Sequence, residues 1–128
     1  MQLIPLKKRI EIIEELIETL SSANTSRGLL NSAIELINQN NGQILVADVV
    51  RKIGVNYKWL ERNFSRHMGL TPKEYIQLQR FISAYINLYS KSYDLLSVAL
   101  DNGYYDYNHF LKEFKDFTGK APLKFINQ

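Results

Sequence analysis

Two stretches of this chain carry side chains that could meet the edges of nucleic-acid bases. In YKWLERNFSRHM, residues 57–68, Leu60 and Phe64 lie about one helical turn apart and must face a core. At about 100° per residue, the opposite face presents Lys58, Arg62 and Ser65, flanked by Trp59 and Glu61, with Arg66 one turn beyond Arg62. The guanidinium of Arg62 can pair bidentately with a guanine edge, and Lys58 can reach a base or a phosphate from the helix start. In YNHFLKEFKDFT, residues 107–118, Phe110, Phe114 and Phe117 form the apolar stripe. Asn108, Leu111, Lys112 and Lys115 then point outward. Asn108 suits an adenine edge, Leu111 a thymine methyl, and Lys112 a guanine or a phosphate. Tyr107, Thr71, Thr118 and Lys120 are candidates for phosphate contacts, which position a protein without reading sequence.

The elements that hold these residues are helices. Three prolines, six isolated glycines and no sustained apolar/polar alternation leave little room for a sheet. The spacing predicts a helix over 6–20 after Pro5, a second from about 27 to 38, and short helices over 46–52 and 95–102. Asn56 and Asp106 can cap the two base-facing helices, and Asp94 the helix at 95. Thr71-Pro72-Lys73-Glu74 reads as a capping box opening a long helix to about 90.

These pieces repeat. With an offset of 50, Asn56 matches Asp106, Leu60 Phe110, Phe64 Phe114, Gly69 Gly119 and Pro72 Pro122; before the turn the offset is 49, pairing Val49 with Val98 and Gly54 with Gly103. Two copies of helix, glycine turn and capped helix form two helix–turn–helix units. A helix over 73–90 is about 27 Å long, so it can hold two reading helices roughly one DNA turn, about 34 Å, apart. Solvated cations on one helix face are commonplace; it is their recurrence beside matching caps and core positions that points to double-stranded DNA.

Charge agrees in its placement rather than its sum. Residues 1–43 hold four basic and five acidic side chains, residues 44–128 twelve and eight, within a net charge of +3. The absence of cysteine rules out a disulfide framework and a thiolate metal site. No apolar run approaches the ~18 residues of a membrane span, and no signal peptide opens the chain, so a cytoplasmic protein is expected. His67 and His109 lack ligand spacing, and no phosphate-binding glycine loop or nucleophile elbow is present. Neither enzymatic activity nor a cofactor or metal is expected.

The runs VVRKIGVNYKWLERNF, GLTPKEY, RFISAYINL and VALDNGYYDYNHFLKEFKDFTGKAPLKF resemble the DNA-binding domain of the AraC/XylS family of bacterial transcription regulators. The resemblance covers residues 44–126. It implies an all-α domain of two helix–turn–helix motifs joined by a long linker helix, in a promoter-binding regulator, most often an activator, that works with RNA polymerase. It also places Lys58, Arg62, Asn108 and Lys112 on the groove-facing sides. Val50 stands where the family usually has alanine, and Leu111 where a polar residue is usual. The expected organisation is an N-terminal amphipathic helix or connector over 1–25 and a DNA-binding domain over 26–128. Within the latter, the first motif spans 46–68, the linker 72–90 and the second motif 95–118.

The first segment stays open. Leu6, Ile10, Ile13, Ile17 and Leu20, extended backwards by Leu3, could form a coiled-coil homodimer through residues 6–20; packing on the rest of the chain is the expectation slightly preferred. A connector to an upstream effector or receiver domain is a third reading, beside a complete small regulator beginning at Met1. A protein-interaction module of the same fold is the functional alternative.

Overall fold

A computed structural model describes residues 4–90 and 94–122 of the chain. Leu3 of the N-terminal stripe and residues 123–125 of the last family run lie outside them. Among the described residues six helices follow one another, α1 Leu6–Gln39, α2 Val46–Ile53, α3 Tyr57–Met68, α4 Pro72–Ser90, α5 Leu95–Asp101 and α6 Tyr107–Thr118, and there is no strand.

The expected caps form. Asn56 Oδ1 accepts from the Trp59 N–H at 2.8 Å, Asp106 Oδ1 from the His109 N–H at 2.7 Å and Asp94 Oδ1 from the Leu96 N–H at 3.4 Å. In the capping box, the Glu74 N–H donates to Thr71 Oγ1 at 3.1 Å and the Thr71 N–H to Glu74 Oε1 at 3.0 Å. The backbone donation from Thr71, with that from its side chain, holds the Glu74 carboxyl below its usual range.

One expectation fails at the start of the chain. The segments over 6–20 and 27–38 are not two helices but one, α1, of 34 residues and about 51 Å. No proline lies between them, and the lone glycine, Gly28, weakens a helix interior by only about 1 kcal/mol relative to alanine. The preferred packing of the apolar stripe on the rest of the chain also fails: Leu6 is 64%, Ile13 54% and Leu20 63% exposed. The phase of the helix explains why. Leu30, Ala33 and Ile37, which α1 buries in the first core, lie about 150° around the axis from the centre of that stripe. A straight helix cannot turn both faces to one core.

Two cores result, and α4 serves both. Tyr75 and Ile76 enter the first, with Leu30, Ile37, Val49, Leu60 and Phe64; Phe81, Ala84 and Leu88 enter the second, with Val98, Phe110 and Phe114. The internal repeat appears as equivalent burial, since Leu60, Phe64, Phe110 and Phe114 are all 0% exposed and Pro72 and Pro122 are both fully buried. Val50, where the family usually has alanine, is accommodated half-buried against the first core, whereas its counterpart Ala99 is fully buried.

The turn after α1 is wedged against α4. Gly42 has φ +73°, and a Cβ there would stand 2.4 Å from the Arg80 amide nitrogen and 2.6 Å from the Ile76 carbonyl oxygen. Gly42→Ala is therefore expected to destabilise the fold by about 1–3 kcal/mol. Urea denaturation measures it, and an unchanged midpoint would mean that the turn can move off α4. Next to it, Gln43 Nε2 donates to the Asp101 carbonyl oxygen at 3.0 Å, and the Gln43 side chain occupies the space that a Cβ on Gly103 would need. The first unit thus touches the turn of the second directly.

Candidate nucleic-acid interface

Helix α3 is fixed from beneath. Leu60 and Phe64 anchor it, with the Phe64 ring 5.5 Å from that of Tyr75. This leaves Lys58, Arg62, Ser65 and Arg66 exposed on the other side. Trp59 and Glu61 are half-buried, and Trp59 packs against the first core, so its indole also holds the helix in place. Asn63 Nδ2 donates to the Trp59 carbonyl oxygen at 2.8 Å.

Helix α6 repeats the arrangement with Phe110 and Phe114 as anchors and Asn108, Lys112 and Lys115 exposed. Tyr107 and Leu111 are half-buried, Tyr107 against the second core. The expectation that Phe117 buries like its two neighbours is corrected: it is 43% exposed and stacks on Phe81, ring centroids 4.7 Å apart. It stands at the far end of α6, one turn past the last fully enclosed position. Two of the hydroxyls considered for phosphate already have partners within the chain. Thr71 completes the capping box, and Thr118 Oγ1 donates to the Phe114 carbonyl oxygen at 2.8 Å and accepts from the Lys120 N–H at 3.2 Å.

Sequence reasoning missed a buried polar cluster behind the second reading helix. Arg80 of α4 forms an ion pair with Glu113 of α6, Nη2 to Oε1 3.2 Å, both side chains largely buried. The Arg80 guanidinium also lies 4.9 Å from the centroid of the Tyr104 ring. Burial first, and then the Glu113 carboxylate, push the Tyr104 phenol far above its usual range, so it stays protonated. A clue was available: Glu113 stands three residues after Phe110, on the stripe that must bury. The cluster fixes α6 to α4 and leaves Lys112 and Asn108 outside it.

Beside α3 a cleft of about 370 Å³ separates it from α1, lined by Ser26 and Arg27 of α1 and by Trp59, Arg62, Asn63, Arg66 and His67 of α3. Among the described residues the ion pairs are Arg51–Asp48 and Arg80–Glu113, so Arg27, Arg62 and Arg66 have no carboxylate partner. The described residues contain no cluster of His, Cys, Asp or Glu able to hold a metal ion, and no helix long and apolar enough to cross a membrane.

Fold and surface together define a double helix–turn–helix module of the DNA-binding class. A helix-turn-helix domain family matches residues 49–128, well over half of the chain, and the chain belongs to that family. It is similar, at 22% identity over 93% of its length, to the transcriptional activator RhaS of Pectobacterium carotovorum. Its fold is shared with a transcriptional regulator from Chromobacterium violaceum described as containing an AraC-type DNA-binding domain. That pair has a TM-score of 0.71 at 24% identity, over 79% of this chain and 91% of the other. It is shared too with the DNA-binding domain of the global transcriptional factor AdpA, solved in complex with a target DNA, with a TM-score of 0.64 at 19% identity over 78% of this chain and 87% of that one. The chain spans less than half the length of the curated relatives it matches, 42% and 43% for the first two.

Proposed function

We propose that this chain is a sequence-specific DNA-binding transcription regulator, or the DNA-reading part of a longer one, acting in the cytoplasm as an activator and not as an enzyme. The observation that carries this reading is the doubled surface: two capped helices, each anchored by a pair of fully buried apolar side chains, each turning cations and hydrogen-bonding groups outward. Arg62 and Lys58 read bases from the first motif, with Ser65, Arg66, Trp59 and Glu61 around them. Asn108, Leu111 and Lys112 read from the second, with Tyr107 and Lys115 at its edges. Residues 26–128 form the DNA-binding domain and residues 1–25 the segment preceding it. Contact with RNA polymerase is the accompanying reading, and it follows from the activator reading alone.

Selection of bound duplexes from a randomised library at near-physiological salt tests the proposal. Two unlike half-motifs about one helical turn apart are the expected result. No enrichment would overturn autonomous DNA reading, and a single short motif would leave specificity to α3 alone.

The exposed stripe on α1 supports a homodimer through residues 6–20. Ile10 and Ile17 take the a positions of a heptad and Leu6, Ile13 and Leu20 the d positions; isoleucine at a with leucine at two of the three d positions is the pattern of two parallel strands. Arg9 then falls at g and Glu14 at e, so the pairing is charge-complementary to itself. Ile13→Glu is expected to leave a monomer at concentrations where the parent chain is dimeric. Sedimentation equilibrium decides it, and a parent chain that stays monomeric throughout would refute the dimer.

A further inference from the structure

We propose that the cleft between α1 and α3 seats a DNA backbone phosphate, making α1 a third DNA-contacting element through Arg27; this rests on the DNA-binding reading above. Three arginines, Arg27, Arg62 and Arg66, line one cleft of about 370 Å³, and no acidic residue lines it. Arginines gathered without counter-charge repel one another, and an anion entering among them removes that repulsion. The planar fork of a guanidinium matches the paired oxygens of a phosphate, and Ser26 and Asn63 add neutral hydrogen-bonding groups at the same walls.

Location decides which anion. Arg62 lies on the side of α3 directly away from Leu60 and Phe64, which is the side proposed to face bases, and Arg66 follows one turn later. Arg62 is thus shared between that side and the lining of the cleft, whose other wall is Ser26 and Arg27 of α1, so a group seated in it stands beside the bases that α3 would meet. In duplex DNA the groups bordering a groove are backbone phosphates. Arg27 reaches this place because α1 begins well before Leu30, a residue it buries in the first core, instead of starting there. Arg27 is itself exposed and caps nothing, which leaves its guanidinium available.

The test uses the full chain with its selected duplex and an unrelated duplex of equal length, titrated over a range of salt. Arg27→Ala is expected to weaken both duplexes by the same factor, about five- to tenfold, and to make the slope of log affinity against log salt shallower by about 0.9. Arg27→Lys, which keeps the charge, should restore the slope. Arg62→Ala run alongside should instead reduce discrimination between the duplexes. Unchanged affinity and slope in Arg27→Ala, with Arg62→Ala impaired, would overturn the phosphate seat and leave DNA reading standing. The same unchanged result, together with inorganic phosphate shifting the amide resonances of residues 26 and 27, would assign the cleft to a free anion and overturn it too. Failure of the parent chain to bind either duplex would remove the underlying reading, and the seat with it.

Discussion

Arg62→Ala is expected to weaken binding to the preferred duplex by about 1–3 kcal/mol and to abolish preference at one base pair, while binding to unrelated duplexes changes far less. The argument starts from the anchors. Leu60 and Phe64, both fully buried, fix the rotation of α3, and that rotation leaves Arg62 exposed without a carboxylate partner. An unpartnered guanidinium on a rigid helix is pre-organised: it forms its bidentate pair without first breaking an ion pair within the protein. Affinities measured against every single-base variant of the selected site check this. Equal losses on all sequences would make Arg62 a phosphate contact, and base reading would pass to Lys58.

A larger effect on stability is expected at Phe110. Its ring is 0% exposed and sits 5.0 Å from the Tyr104 ring and 5.8 Å from that of Phe114. Phe110→Ala should cost about 3–5 kcal/mol, against total domain stabilities of about 5–15 kcal/mol. Phe117→Ala is the informative comparison. That ring is 43% exposed and stacks on Phe81, so its loss should cost about 1 kcal/mol. Urea denaturation followed by circular dichroism separates the two. Similar midpoints for both variants would mean that the second core does not close on Phe110 as described.

The contrast between those two phenylalanines also shows how far pattern carries. Positions 110, 114 and 117 share one helical stripe, and periodicity cannot tell which of them the neighbouring helix covers; that depends on where α4 crosses. Caps were legible because they are local: Asn56, Asp94, Asp106 and the Thr71–Glu74 box act within four residues of sequence. The repeat was legible because two copies reinforce each other. The continuity of α1 was not, since a run of weak helix formers between two strong segments leaves the outcome to the turns on either side. The cluster of Arg80, Glu113 and Tyr104 was hidden for another reason: its members come from three separate segments that only the tertiary fold brings together. The outward faces of α3 and α6 were predictable from the buried ones; Arg27, contributed from a different helix, was not.

The unbroken α1 has a mechanical consequence. Because one rod of about 51 Å carries both the exposed Ile10–Ile17 stripe and the residues flanking α3, its two ends keep a fixed rotational phase. One residue added between Leu20 and Arg27 would turn the stripe by about 100° relative to the reading helix, whereas seven would return it to within about 20°. Whatever grips the stripe therefore sets the azimuth at which α3 is presented, as a shaft sets the angle of a key.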